Sequence, residues 1–259
     1  MSTTLKFSPG NHQYWLDQKR IPGVTTLIKK GLPKPALMYW SSRTVAEYVA
    51  DNPDTVADLA AAGRTAMIAA LKDVPWQRRD AAGIRGTEVH ELAHRLTLGE
   101  RVDVPQYLQG HVESCLAFLD DYEIEPVFVE APIANRAWWY AGTPDLVGQR
   151  PDGQTVLVDW KTADSGVYGE TALQLVAYAR AEFYIDALGD EAPMPHIDET
   201  WAVHITASGY EVYRARFDDV AWETFLHVAH VGRAAKDIES WVEPLDVPNP
   251  SLELQAVNP

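Results

Sequence analysis

The sequence predicts an α/β fold: a mixed sheet of about five strands, flanked by helices and preceded by an N-terminal helical lobe. An Asp-Gly pair separates two β-prone runs near the middle of the 259-residue chain. Segments with helical periodicity lie on both sides of these runs, and a second pair of short apolar runs follows them. The chain is 46% hydrophobic and 23% charged, which is the composition of an ordinary globular protein.

Residues 1–82 predict a lobe of short strands and helices. The strands are separated by two Pro-Gly pairs, which favour turns. Helices are expected over residues 37–50 and 55–71, and the second is alanine-rich and amphipathic. Tyr39 and Trp40 could stack on nucleic-acid bases, but we expect core positions for them, because aromatic side chains are commonly buried.

A helix is expected over residues 87–98, where apolar residues recur at helical spacing and Gly99 follows. His90 and His94 are four residues apart and therefore share one face. Together with Glu91 they satisfy H-E-x-x-H, in which two histidines bind Zn²⁺ and the glutamate is the general base of a peptidase.

The zinc peptidase alternative needs a third ligand later in the chain, for which Glu113 and Glu123 are candidates. It leaves the charged residues of the central part of the chain without a role, and short motifs also match by chance. Outside this alternative, we expect His94 to be a partly buried helix residue.

The next segments predict a helix over residues 106–123 and a strand over 126–135, where apolar and polar residues alternate. Glu130 lies on this strand, and it either faces solvent or supports a site. Residues 137–147 predict a longer strand that leads into a hairpin.

The central hairpin is expected from residues 145–147 and 155–158, with Asp152-Gly153 in its turn. Asp and Gly tolerate the positive φ that a tight turn requires. Asp145 enters the first strand of this hairpin.

The second strand of the hairpin ends with Asp159, Trp160 and Lys161. Side chains alternate along a strand, so Asp159 and Lys161 share a face, and Trp160 points to the opposite one. With Asp145, this arrangement places two carboxylates and one ammonium at one end of the hairpin. Carboxylates suit Mg²⁺ or Mn²⁺, and the lysine can stabilise developing negative charge.

After the hairpin, a long helix is expected over residues 169–188. Gln174 and Tyr178 are four residues apart in it and share a face. The remaining sequence predicts a second hairpin and a closing helix, over residues 201–206, 210–216 and 217–238. Residues 243–259 contain four prolines and no basic residue, and are expected to form a flexible acidic tail.

The formal net charge of −15 counts against strong nucleic-acid binding, because phosphate neutralisation requires Lys and Arg. Two local basic clusters, and cations held by a carboxylate site, reduce this objection. We expect modest, salt-sensitive DNA affinity. The basic residues are Lys29, Lys30 and Lys34, then Arg78, Arg79 and Arg85.

Four motifs in this order resemble the PD-(D/E)xK nuclease superfamily, in its RecB-like and phage exonuclease branch. The resemblance covers roughly residues 86 to 180, and four motifs together are more specific than any one of them. The motifs are G-T-x-x-H at 86–90, G-T-P-D at 142–145, V-D-W-K at 158–161 and Q-x-x-x-Y at 174–178.

The resemblance implies a restriction-endonuclease-like core over residues 83–242 and metal-dependent hydrolysis of DNA, with exonuclease activity in recombination, repair or replication. It implies one or two Mg²⁺ or Mn²⁺ ions. The implied metal ligands are His90, Asp145, Asp159 and the Trp160 carbonyl, with Glu130 as a supporting residue.

The resemblance also implies roles for three further side chains. Lys161 would orient the attacking water or neutralise charge on phosphorus. Gln174 would hold Lys161 or a phosphate oxygen, and Tyr178 would contact the DNA backbone. DNA is the expected partner, with a recombination or single-strand-binding protein as a further candidate.

A catalytically silent DNA-binding or assembly protein is a second alternative. The intact D…D-x-K set argues against it, because a retired site has no physical reason to keep a charged cluster. Neither a signal peptide nor a membrane span is expected, because no sufficiently long apolar run occurs. The single cysteine, Cys115, excludes an internal disulfide and a four-cysteine cluster, and favours the cytoplasm, that of a host cell if the chain is phage-encoded.

Overall fold

The computed structural model of the chain describes residues 5–163 and 165–244. It has an α/β fold, in which a five-stranded mixed sheet is flanked by helices and accompanied by two smaller sheets. The predicted fold class, including a helical region in the N-terminal part, is confirmed. Residues 245–259 of the predicted tail lie outside the described part of the chain.

The helices of the described residues are α1 (Val24–Gly31), α2 (Pro35–Asp51), α3 (Pro53–Ala61), α4 (Arg64–Thr97), α5 (Gln109–Asp121), α6 (Glu170–Ala179) and α7 (Asp219–Ala234). None of these helices could span a lipid bilayer, because none combines sufficient length with an apolar sequence.

Helix α4 is 34 residues long and contains all but the last residue of the predicted helix 87–98. It runs without interruption through Pro75 and Gly83, so the predicted boundary between residues 82 and 83 lies inside a helix. Pro and Gly each disfavour a helix interior; α2, α3 and α5 pack against α4, and Pro75 itself is buried. The helix ends where predicted, before Gly99, whose φ of +76° lets the chain turn away.

The strands are β1 (Lys6–Ser8), β2 (Gln13–Leu16), β3 (Lys19–Ile21), β4 (Glu125–Val129), β5 (Ile133–Asn135), β6 (Tyr140–Gly142), β7 (Leu146–Gln149), β8 (Thr155–Lys161), β9 (Phe183–Ile185), β10 (Glu191–Pro193), β11 (Glu199–Thr206) and β12 (Gly209–Arg214). The main sheet has the order β12-β11-β8-β7-β4, a second has the order β10-β9-β5-β6, and β1-β2-β3 form the third.

Strand β8 is the centre of the main sheet. It pairs antiparallel with β7 and parallel with β11. The β7–β8 hairpin turns at Gly153, whose φ is +84°, and the N–H of Arg150 donates to the carbonyl of Gln154 at 2.9 Å. The predicted Asp-Gly turn and both predicted hairpins are present in the structure.

The side chains of β8 alternate between two hydrophobic layers. Leu157 packs with α6 and α7 residues such as Phe225 on one face. Val158 and Trp160 pack with Phe118 of α5 on the other. The main sheet is therefore covered on both faces, which places the end of β8 between layers of helices.

Helices α1 and α7 cross at close range. A Cβ atom at Gly31 would collide with the carbonyl of Val228, and one at Gly232 would collide with the carbonyl of Leu27. The two glycines therefore allow the first helix and the last helix of the described chain to pack backbone against backbone.

Three sequence predictions are corrected. The helix expected over 169–188 ends at Ala179, because the β-prone residues Phe183–Ile185 pair with β5 instead. The strand expected over 126–135 is divided at Glu130, and the one expected over 137–147 is divided between two sheets.

The expectation that Tyr39 and Trp40 belong to the core is also wrong. The two residues are 77% and 38% exposed.

Candidate active site

The end of β8 places Asp159 and Lys161 on the same face, as predicted, and their side chains form an ion pair. Asp159 is only 3% exposed. Trp160 points to the opposite face, where its ring meets that of Phe118 edge-on at 5.2 Å between centroids. The predicted alternation therefore brings a buried carboxylate and an ammonium group together.

Asp145 lies immediately before β7 and connects two other elements. Its Oδ2 accepts a hydrogen bond from the backbone N–H of Trp160 at 2.6 Å. Its Oδ1 lies 3.1 Å from Nδ1 of His90, which is carried by α4. The carboxylate of Asp145 therefore joins the helix to the central strand.

Glu130 completes a group with His90 and Asp145. One ligand atom from each of the three side chains lies within 4.8 Å of the other two. Glu130 has a φ of +47°, which is uncommon for a residue with a side chain, and its N–H donates to the carbonyl of Asp145 at 3.2 Å. An imidazole nitrogen and carboxylate oxygens fit a divalent cation such as Mn²⁺ or Mg²⁺.

The charged side chains of this cluster shift one another's pKa values. Burial lowers the pKa of His90, but the Asp145 carboxylate outweighs it and raises that pKa to about 9. Burial raises the pKa of Asp145, but His90, Lys161 and the N–H of Trp160 hold it below its ordinary value. Asp159 has a raised pKa, because burial outweighs the nearby ammonium of Lys161. Two buried carboxylates of this kind form a site that a cation would stabilise.

Gln174 of α6 links Asp159 and Lys161. Its Nε2 donates to Oδ1 of Asp159 at 2.6 Å, and its Oε1 accepts from Nζ of Lys161 at 3.2 Å. The amide is therefore bidentate towards the ion pair, and the predicted contact between Gln174 and Lys161 is present.

Tyr178 lies one turn further along α6, and its predicted contact with a DNA backbone stays a prediction. Tyr178 is 3% exposed, and its hydroxyl accepts a hydrogen bond from Nε2 of Gln174 at 3.3 Å. Its ring lies against Gly142, where a Cβ atom would collide with it. Tyr178 is therefore a core residue beneath the site, and the glycine of the G-T-P-D motif makes room for its ring.

Tyr14 of β2 is a site neighbour to which the sequence assigned no role. Its hydroxyl shares a hydrogen bond of 2.9 Å with Oγ1 of Thr143, two residues before Asp145. The alternation of β2 indicates that Tyr14 points inward, but its partner depends on how the N-terminal sheet docks. The N-terminal strands thereby support the G-T-P-D loop.

The ligands expected for a zinc peptidase do not converge. Nδ1 of His94 lies 3.7 Å from a carboxylate oxygen of Glu130, and His94 is outside the converging group. Within residues 5–163 and 165–244, neither Glu113 nor Glu123 belongs to that group. Glu91, the expected general base, is exposed.

Comparisons with known proteins add no assignment. No protein-family model matches the chain, and no curated protein matches it. A solved structure described as "Crystal structure of SSO0001" is 15% identical, with a TM-score of 0.35, over 85% of this chain and 76% of that chain. A likeness this weak carries no conclusion about the present chain.

Proposed function

We propose that this chain hydrolyses phosphodiester bonds of DNA with Mg²⁺ or Mn²⁺, as an exonuclease of the PD-(D/E)xK type. The observation that carries the proposal is the convergence of ligand atoms of His90, Glu130 and Asp145 within 4.8 Å. The ion pair of Asp159 and Lys161 adjoins this group, because the backbone N–H of the residue between them binds Asp145.

One group of side chains in the site provides ligands for a divalent ion. His90, Glu130 and Asp145 would hold a divalent ion, and Asp159 would complete its surroundings from β8. Bound Mg²⁺ or Mn²⁺ supplies Lewis acidity, which acidifies water and neutralises phosphate charge. The carbonyl of Trp160 stays a predicted ligand.

Lys161 provides positive charge where the phosphate would react. Burial lowers its pKa, but the carboxylates of Asp159 and Asp145 outweigh burial and raise it, so the amine stays protonated. Gln174 fixes the direction of the ammonium group. A positioned cation of this kind stabilises the negative charge that develops during displacement at phosphorus.

The energetic cost of the cluster also supports a catalytic role. Burying charged side chains is expensive, and an apolar core is often at least as stable as a buried ion pair. Asp159, Lys161 and Gln174 occupy positions that apolar residues could fill, since α6 otherwise packs against the sheet through its hydrophobic face. DNA as the substrate, and exonuclease activity in recombination, repair or replication, rest on the motif resemblance.

The test compares linear and closed circular DNA, end-labelled where ends exist, with Mg²⁺, Mn²⁺, Zn²⁺ or chelator. We expect metal-dependent loss of the linear DNA, sparing of the circle, and no cleavage by Asp159→Ala or Lys161→Ala. Glu91→Ala is the matched control, because Glu91 is exposed and adjoins His90. Undiminished cleavage by Asp159→Ala or Lys161→Ala would reject the proposal. Absence of cleavage by the wild-type protein with every ion would also reject it, and would favour a silent binding protein.

A further inference from the structure

The first turns of α2 protrude from the body of the protein. Four consecutive large side chains, Leu37, Met38, Tyr39 and Trp40, are 52%, 76%, 77% and 38% exposed. Because successive helical residues point in different directions around the axis, every side of this segment reaches solvent. We call residues 37–40 the exposed turn.

The exposed turn begins next to the candidate active site. Lys34, immediately before α2, forms an ion pair of 2.8 Å with Glu170. Glu170 is the first residue of α6, one turn before Gln174, and its charge acts on Lys161. At about 1.5 Å per residue, Tyr39 lies within about 8 Å of the start of α2 along the helix axis.

Helix α4 packs against α2 and leads to the site. Glu47 of α2 forms an ion pair with Arg78 of α4, with 3.4 Å between the charged atoms. From there α4 continues to Gly86, which packs against Thr162 just after β8, and then to the site. Helix α2 therefore leads away from the site while α4 leads towards it, and the exposed turn is at the end of α2 that is tied to α6.

We propose that the exposed turn is a stacking surface for the bases of a single DNA strand that passes through the active site. This inference rests on the proposed function for the nature of the ligand. Bases in a duplex already stack on one another, whereas those of a single strand offer their faces to aromatic side chains. Tyr39 and Trp40 supply the rings.

The charge of the chain favours stacking over phosphate contacts. With a formal net charge of −15, the protein gains little from neutralising phosphates. Stacking does not depend on net charge and accepts every base. A protein of this composition that acts on DNA therefore has a reason to expose aromatic and sulfur-containing side chains in one place.

The experiment measures binding of a fluorescein-labelled oligothymidylate of about 16 nucleotides, by anisotropy, with Ca²⁺ in place of Mg²⁺. We expect the Tyr39→Ala/Trp40→Ala variant to bind about tenfold more weakly, by the same factor at low and high salt. Replacing both residues by phenylalanine should restore affinity. Tyr213→Ala is the matched control, because Tyr213 is an aromatic residue 44% exposed on the edge strand β12.

A second readout separates stacking from chemistry. Hydrolysis of thymidine 5′-p-nitrophenyl phosphate with Mn²⁺ needs the active site alone, so the double alanine variant should keep wild-type kcat/KM. If the wild-type protein cleaves DNA and the double alanine variant binds oligothymidylate with unchanged affinity, the stacking surface is overturned and the proposed function stays intact. Stacking-dependent binding without any hydrolysis would support the surface and reject the proposed function. Equal loss of affinity for duplex DNA, or no rescue by phenylalanine, would also overturn the inference.

Discussion

Nδ1 of His90 lies 3.1 Å from Oδ1 of Asp145, although the two residues are 55 positions apart in the chain. Burial alone would keep this imidazole neutral. The adjacent carboxylate instead raises the pKa of His90 to about 9. The contact therefore holds α4 against the sheet as an ion pair in the metal-free protein.

Asp145→Asn should return the pKa of His90 from about 9 to its ordinary 6.5 or lower, because burial remains while the carboxylate charge is lost. A raised folded pKa stabilises the fold fully below the unfolded pKa, and this stabilisation disappears as pH rises through the folded pKa. Metal-free wild-type protein should therefore lose stability between about pH 6.5 and about pH 9, and the variant should not. NMR titration of the imidazole measures the pKa of His90, and denaturant unfolding in chelator measures the stability at each pH. A wild-type His90 that titrates near 6.5 would contradict the prediction.

His90→Ala and His94→Ala should differ in their effect on Mn²⁺ binding. His90 belongs to the converging group, so its loss should weaken binding by more than about 100-fold. His94 only faces Glu130 at 3.7 Å, so its loss should cost about tenfold or less. Isothermal titration with Mn²⁺ measures both. Equal, severe losses with Zn²⁺ as the preferred ion would point to the H-E-x-x-H alternative.

Lys161→Met should reduce DNA cleavage by about 100-fold or more, because a charge-stabilising group is lost. In chelator it should also lower the free energy of unfolding by about 3 kcal/mol, since Asp159 is left buried without its cation. Lys34→Ala removes a more exposed ion pair and should cost less than about 1 kcal/mol. Urea unfolding monitored by fluorescence compares the two variants. Similar losses of unfolding free energy would be inconsistent with a buried ion pair of Asp159 and Lys161.

Gln174→Ala should slow cleavage by about 10- to 100-fold, because the ion pair of Asp159 and Lys161 loses the amide that orients it. Tyr178→Phe removes only a hydroxyl that accepts a 3.3 Å hydrogen bond, and should change the rate by less than about tenfold. Single-turnover cleavage separates the two variants. A Tyr178→Phe enzyme as slow as Gln174→Ala would instead indicate that the hydroxyl contacts the substrate.

Gly142→Ala and Gly83→Ala should change stability in opposite directions. A Cβ at Gly142 collides with the ring of Tyr178, so overpacking should cost about 1–3 kcal/mol. Nothing lies within 4 Å of a Cβ at Gly83, inside α4, where alanine should stabilise the helix by about 1 kcal/mol. Thermal unfolding reports both signs. A neutral Gly142→Ala would mean that the ring of Tyr178 moves freely.

The elements that the sequence predicted well depend on local rules. The turn at Gly153 follows from the positive φ that Asp-Gly tolerates, and it sets the β7–β8 register. From that register, the two-residue period of a strand places Asp159 and Lys161 on one face. The local rules and the motif resemblance together therefore made the cluster at the end of β8 predictable.

The features that the sequence did not predict depend on distant partners. The motif resemblance implied Glu130 as a supporting residue, but no local pattern in 126–135 indicates the turn at φ +47° that brings its backbone against Asp145. Phe183–Ile185 forms a strand because an edge of β5 is available. Tyr14 contacts Thr143 because the N-terminal sheet docks there, and neither residue indicates the other in sequence.

The close crossing of α1 and α7 has a consequence for biosynthesis. The chain leaves the ribosome from its N-terminus, so α1 is complete long before α7 is translated. At a translation rate of about 5–20 residues per second, the side of α1 that carries Leu27 stays uncovered for on the order of ten seconds before α7 is made. The nascent protein therefore has to keep this surface from aggregating until nearly the whole described chain has been made.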